Sequence, residues 1–341
     1  IACQKFQSRI VELLLNEKRV DLNKADQNGH TPFYIACSNG DTETIELLLN
    51  NNGFDINKVN NNGRTPLYIA CENGYIEIIK LILANRKEVN LNVKDKEGKT
   101  VIDIARKIGK TKIVKLIESF ERNPNETRTR LVVENKLFSA CKTGDVEEVE
   151  QLLWNKQLNI NFQVRFGKTP LYLACENGHI EIVKLLLNDE SIDINKANDD
   201  GETPLYVACL LGNIEIVKLL LNDERVDTNK ANNDGKTPFY GACYCGRIEI
   251  VKLLSDDERV EINKTSNYDQ MPFSAACRNG HREVVEFLLR DDRIKVNERC
   301  NHGQTPFYYS CLSGSIEIVK LLSSDERINI NQEDNNGWTP F

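Results

Sequence analysis

Eleven cysteines, four histidines and several paired carboxylates are the residues of this 341-residue chain whose types could do chemistry. Thiolates ligate zinc, form disulfides or attack electrophiles, paired carboxylates shuttle protons, and Gly-Lys-Thr can close a phosphate-binding loop. Spacing argues against each of these. Nine cysteines (Cys3, Cys37, Cys71, Cys141, Cys175, Cys209, Cys243, Cys277 and Cys311) recur in one register, and no Cys-x-x-Cys pair occurs. On packed helices such residues stack roughly 8–10 Å apart, beyond the roughly 7 Å Cα separation a disulfide tolerates. They read as small core hydrophobes, which implies a reducing, intracellular and most simply cytoplasmic setting. Cys245 and Cys300 fall outside the register and are the two candidates for exposure. His30, His179, His281 and His302 are too scattered for a metal site. Gly-Lys-Thr at Gly98, Gly109, Gly167 and Gly235 lacks the glycine five residues earlier that a P-loop needs. The acidic groups (Asp189–Glu190, Asp223–Glu224, Asp256–Asp257–Glu258, Asp325–Glu326) recur in one loop, often beside Arg225, Arg259 or Arg327, as a solvated edge would. No catalytic residue, cofactor or metal is expected, and the chain reads as a non-enzyme.

The formal net charge is −7, without a Lys/Arg-rich block, which argues against nucleic acid as partner. The longest apolar run is Leu205–Leu211, too short for a membrane span, and the sequence does not open like a secretory leader. A small-molecule substrate is not implied either.

What must position these residues is a repeat. Eight of nine prolines (Pro32, Pro66, Pro170, Pro204, Pro238, Pro272, Pro306 and Pro340) are spaced by 34 residues, except for three periods plus two residues between Pro66 and Pro170. Most glycines fall in two further registers, before the proline (Gly29, Gly63, Gly201) and after the cysteine (Gly40, Gly74, Gly178). Such a period means a solenoid. In the unit Thr169–Glu202, Thr169–Pro170 starts a short helix with Leu171, Ala174 and Cys175 on its apolar face. Asn177–Gly178 ends it, and Ile180, Val183, Leu186 and Leu187 pattern a second helix. Asp200–Gly201 supplies a turn in a hairpin-like connection. Neither helix is long enough to stand alone.

The string Thr203-Pro204-Leu205-Tyr206-Val207-Ala208-Cys209, then Gly212 and Ile214-Glu215-Ile216-Val217-Lys218-Leu219-Leu220, resembles the ankyrin repeat. About ten units cover essentially the whole chain. The resemblance implies an all-α ankyrin-repeat solenoid, an elongated curved stack whose concave groove, lined by hairpin tips and first helices, binds a partner protein. Two departures are systematic. Tyrosine replaces the family's usual histidine at Tyr68, Tyr172 and Tyr206, and the 34-residue period places an extra residue in the link Asp223–Asp227, which lacks the family's glycine after the second helix. His179 and His281 follow the repeat glycine, where the family often has histidine, and read as structural. The column Asn23, Asn57, Asn161, Asn195, Asn229, Asn263, Asn297 and Asn331 reads as turn scaffolding.

The units near Thr100 and Asn135 break the pattern, and Pro124 is the one proline out of register. We expect a first block over 1–121 of about four repeats, a junction over 122–130, and a second block over 131–341 of about six. Asn123–Pro124 is alternatively the start of a long helix towards Cys141. Both ends fall inside a unit, so a longer parent protein is expected; a regulatory or targeting role beside an enzyme or channel is the alternative function.

Function is most legible where the repeat varies. The residue after the register cysteine is Gln4, Ser38, Glu72, Lys142 or Glu176 in five units, then Leu210, Tyr244, Arg278 and Leu312 in four successive ones. The next column carries Leu211 and Cys245 where Asn39, Asn73, Asn177 and Asn279 stand elsewhere. Turn tips depart from the Asn/Asp norm at Arg165–Phe166, Tyr268, Arg299 and His302. The candidate partner-binding set is Phe166, Leu210, Leu211, Tyr244, Cys245, Tyr268, Arg278, Arg299, His302 and Leu312, with Tyr and Arg the stronger hot-spot types.

Overall fold

The Thr-Pro signal works as its chemistry demands. In the computed structural model, the Oγ1 of Thr31, Thr65, Thr169, Thr203, Thr237 and Thr305 each accepts from the backbone N–H three residues on, at 3.1–3.2 Å. The proline that follows fills the first helical position, where no N–H is needed. The structure describes residues 2–5, 7–17, 19–51, 53–85, 88–154 and 158–341. Among them the regular elements are all helical, with no strand.

The chain forms two compact units, 1–136 and 137–341. The first contains the repeat pairs Pro32–Asn39 with Thr42–Leu49, Pro66–Asn73 with Ile76–Asn85, and Val101–Lys107 with Thr111–Arg122. The second contains Pro170–Asn177 with Ile180–Leu187, Pro204–Leu211 with Ile214–Leu221, and Pro238–Tyr244 with Ile248–Asp256. It continues through Pro272–Arg278 with Arg282–Leu289 and Pro306–Leu312 with Ile316–Ser323. Within each unit, first helices pack on first helices and second on second. A long helix, Pro124–Thr143, follows Asn123 directly; no repeat turn intervenes, as the Asn-Pro helix-start reading anticipates.

Each unit has one continuous apolar core. Helix Ile180–Leu187 buries Ile182, Val183 and Leu186 completely, while Ile180 and Leu187 are only half-buried. Each full burial is worth about 1.5–3 kcal/mol, which is what an eight-residue helix without stability of its own requires. The hairpin-like connection is a tight turn. Asn198 N–H donates to Glu202 O at 2.9 Å, and Gly201 sits at φ 78. A Cβ on Gly201 would lie 2.5 Å from Asn233 Oδ1 and 2.7 Å from Asn233 N of the next repeat, so glycine is required by both conformation and space.

Three side-chain columns bond the repeats to one another. Asn195 Nδ2 donates to Arg225 O at 2.7 Å while its Oδ1 accepts from Asp227 N at 2.8 Å; Asn161 and Asn229 make the same two-bond link. This column therefore bridges neighbouring repeats, in addition to any turn role. The second column explains the missing helix-end glycine. Arg225 and Arg259 grip Asp223 and Asp257 and extend Nη2 to Leu187 O (3.0 Å) and Leu221 O (2.7 Å), the last residues of the preceding second helices. Arg293 reaches Ser255 O at 3.0 Å, and Arg327 reaches Leu289 O. A cation supplied by the next repeat thus satisfies orphan carbonyls at a negative helix end. In the third column, Tyr172 OH bonds Glu202 Oε2 at 2.9 Å, and Tyr68 OH donates to Asp95 Oδ2 at 2.8 Å. Tyrosine in the usual histidine place reaches the following repeat's turn.

Candidate partner-binding surface

The first helix of a repeat is buried almost to its end. In Pro204–Leu211, the residues Pro204 to Cys209 are buried, Leu210 is half-buried and Leu211 is 44% exposed. In the next three repeats the corresponding positions carry Tyr244 (47% exposed), Arg278 (exposed) and Leu312 (66% exposed). Cys245 is half-buried beside Tyr244, and burial raises its thiol pKa. The ring of Tyr244 stacks on Tyr240 with centroids 6.3 Å apart. Earlier in the array the same column is neutralised internally: Glu72 pairs with Arg64 at 3.1 Å and Glu176 with Lys168 at 2.8 Å.

The unusual turn tips share a second departure from the repeat. In ordinary turns an Asp or Asn (Asp26, Asn60, Asp95, Asn198, Asn232, Asp334) accepts from the N–H groups two and four residues on, at 2.8–3.0 Å. Val164, Ser266 and Cys300 occupy that place in the turns that carry Phe166, Tyr268 and His302. Val164 offers no acceptor, and the turn is tied by a different bond: Gln163 Nε2 donates to Gly167 O (2.8 Å) and Ala197 O (3.0 Å). Arg299 repeats this beside Cys300, with Nε on Gly303 O (2.9 Å) and Nη2 on Glu333 O (3.1 Å). Its guanidinium therefore holds the turn. Phe166 stands at φ 61 with the Arg165 guanidinium 4.8 Å from its ring, and Asp269 beside Tyr268 at φ 52. The carbonyls of Phe166, Tyr268 and His302 accept from Asp199, Asn301 and Asn335 of the following repeats. Their backbones are fixed, and their side chains are exposed, Phe166 by 56% and Tyr268 by 62%.

Family models for ankyrin repeats (3 copies) match residues 1–95, 101–198, 137–231, 191–266, 222–300 and 257–334. The chain belongs to the ankyrin-repeat family. No curated protein matches it. Ankyrin repeats are generally protein–protein interaction modules and typically non-enzymatic.

The other reactive-looking residues of this ankyrin array have structural partners. His179 Nε2 meets Lys142 O at 3.1 Å and His281 Nε2 meets Tyr244 O at 2.8 Å, each tying a second helix's start to the preceding repeat's first helix. Arg247 Nε does the same on Leu210 O at 3.1 Å. Burial pushes the Cys71 and Cys141 thiols up to about 12, and raises those of Cys37, Cys175, Cys209, Cys243 and Cys277 as well, which removes thiolate character at neutral pH. Cys300, a sequence candidate for exposure, is buried and its Sγ lies 3.3 Å from Tyr309 OH. It takes the turn's Asx position, which faces inward. Hydrogen bonds from Arg225 and Arg259 hold Asp223 and Asp257 below the usual carboxylate range, so these acids stay ionised rather than relay protons. Among the described residues no group of three or more His, Cys, Asp or Glu could hold a metal ion, and no helix is long and apolar enough to cross a membrane.

Sequence reasoning missed Gly241, a buried glycine in the middle of helix Pro238–Tyr244, next to Tyr206 and Leu210. It also missed Gln270, whose Nε2 is buried with no hydrogen-bond partner among the described residues. Gly241 had a signal, being one of two glycines outside the repeat registers.

Proposed function

We propose that this array is a non-enzymatic scaffold that binds a partner protein along its first helices and turn tips, over Phe166 to Leu312. The observation that carries the reading is the column Leu210, Tyr244, Arg278, Leu312. Four successive first helices present apolar, aromatic and cationic side chains where other repeats present Lys142 or internally paired Glu72 and Glu176. Leu211, Cys245, Phe166, Tyr268 and His302 widen this surface, and Arg299 acts through the turn it holds. The reading includes an intracellular setting, supported by eleven free thiols, nine of them buried.

The test replaces Leu210 by Glu, Tyr244 by Ala and Arg278 by Ala together and captures partners from the native cell. The control is Lys218→Ala, which removes an exposed pair with Glu215 on a second helix. Truncating such anchors typically costs more than about 1 kcal/mol each, so the triple variant should lose capture at least about tenfold while its circular dichroism stays that of the parent. Capture equal to the parent's sinks the assignment.

A further inference from the structure

Within this array, one register position recurs at the foot of the stripe. It lies eight residues before that column, Arg64 before Glu72, Lys168 before Glu176 and Gln270 before Arg278, and 30 residues after Tyr34, Phe138 and Tyr240 of the preceding repeats. In two of these repeats it closes a charge pair, Arg64 with Glu72 at 3.1 Å and Lys168 with Glu176 at 2.8 Å. At Gln270 and Arg278 the cation has moved to the column and its former partner is neutral. Among the described residues no carboxylate lies within ion-pair distance of Arg278; the nearby Asp234 is paired with Lys236 at 3.0 Å.

The two groups are nonetheless held in place. The Arg278 guanidinium carbon lies over the buried Tyr309 ring, 5.5 Å from its centroid, and among the described residues the guanidinium has no hydrogen-bond or ion-pair partner. Tyr240 OH donates to Gln270 Oε1 at 2.5 Å, and the other end of that amide, Nε2, is buried with no hydrogen-bond partner among the described residues. A buried donor left unpaired is costly and is restored by an acceptor. Burial pushes the phenols of Tyr240 and Tyr309 up, and the Arg278 charge pulls both back, so its field covers this spot. Ser274 stands where Tyr172, Tyr206 and Tyr240 stand in preceding repeats, so no tyrosine of its own repeat covers the amide.

We propose that Arg278 and Gln270 are the anchor for a carboxylate of the partner, so that the segment lying along the stripe is an acidic peptide with apolar side chains on either side of its acid. The carboxylate takes the guanidinium as a charge-assisted donor, as Glu72 does with Arg64, and a rotation of the Gln270 side chain brings its amide, whose Nε2 is enclosed in the free chain, out to donate to it. Tyr244 and Leu312, one repeat to each side, meet the flanking apolar residues. The proposal rests on the stripe being the partner surface.

The test uses the whole chain. Random 12-residue peptides displayed on phage are selected on it, and the strongest sequence is synthesised with amidated ends, once with its acid and once with the matching amide. Affinities are measured by fluorescence anisotropy on the parent, Arg278→Gln, Gln270→Glu and Leu210→Glu chains. Gln270→Glu fits the fold, because Glu202 holds that register and bonds Tyr172 OH at 2.9 Å; it supplies Arg278 with an internal carboxylate. We expect the acid-to-amide change to weaken binding about tenfold or more on the parent and to have no effect on Arg278→Gln or Gln270→Glu. Leu210→Glu should weaken both peptides. Equal binding of the acid and amide forms on the parent, with Leu210→Glu still disruptive, overturns the anchor and leaves the stripe standing. Indifference to Leu210→Glu, or a selection that yields no peptide, overturns both.

Discussion

Replacing Gly241 by alanine should stabilise this protein. The residue lies mid-helix in Pro238–Tyr244 with ordinary helical φ, so a side chain there brings no backbone strain. A Cβ would meet Tyr206 Cε2 at 3.5 Å, Leu210 Cδ1 at 3.6 Å and Tyr206 Cζ at 3.7 Å, which is van der Waals contact without overlap. Relative to alanine, an interior helical glycine costs about 0.5–1 kcal/mol, and the new methyl is buried, adding up to about 0.8 kcal/mol. A net gain of about 1 kcal/mol corresponds to roughly 2–4 °C in the midpoint of a unit of this size. Thermal melts of the intact chain by circular dichroism give the midpoint. Hydrogen exchange at the amides of Ala242 and Cys243 shows whether the gain is local, which matters because repeat arrays need not unfold in one step. A midpoint that is unchanged or lower refutes the packing described around Tyr206 and Leu210.

Two further outcomes concern the repeat framework. Replacing Arg225, Arg259, Arg293 and Arg327 by glutamine removes the cations that hold the preceding helix ends; with partly exposed pairs, each should cost about 0.5 kcal/mol. The paired Asp223, Asp257, Asp291 and Asp325 have folded pKa values below their unfolded ones, chiefly through these arginines. Their contribution is therefore complete above the unfolded value near pH 4 and is lost as pH falls through the folded one. Melts between about pH 2 and 7 should show the acid-side loss shrinking in the fourfold variant. For the thiols, a disulfide reagent at neutral pH should label only the half-buried Cys245 and Cys311 before urea is added, and the nine buried ones afterwards. Raised folded pKa values, about 12 for Cys71 and Cys141, mean their contribution is intact below the unfolded value and is lost as pH climbs above about 8.5.

The repeat and its helices were legible because their signals are local. Thr203–Pro204 starts a helix and Gly201 requires a positive φ whatever the neighbours do. The bonds between repeats were not legible in kind. Asn195 looks like a turn residue in sequence, but its two partners lie 30 and 32 residues away. Arg225 looks like one half of an exposed ion pair, and its reach to Leu187 O appears only once the next repeat is stacked. Cys300 looked loose for lying outside the cysteine register, yet it occupies the inward Asx position of its turn, as Asn232 does elsewhere. In the candidate surface, the column Leu210 to Leu312 was visible as a change of residue type, whereas the holding role of Arg299 required its bonds to Gly303 and Glu333.

These cross-repeat bonds also say where specificity can reside. In a 34-residue unit the threonine caps its helix, the tyrosine and asparagine reach the next repeat, and the arginine holds the previous one. A substitution at the tyrosine, asparagine or arginine is felt by two repeats at once, so these positions are poorly placed to vary with a partner. The side chain after the cysteine has a lighter duty: Glu72 and Glu176 pair within their own repeats, and at Arg278 the contact with the next repeat is with the Tyr309 ring. Positions with few duties to the neighbours can change without loss of the stack, and a run of four that changes together towards apolar, aromatic and cationic types is what a partner-facing surface requires.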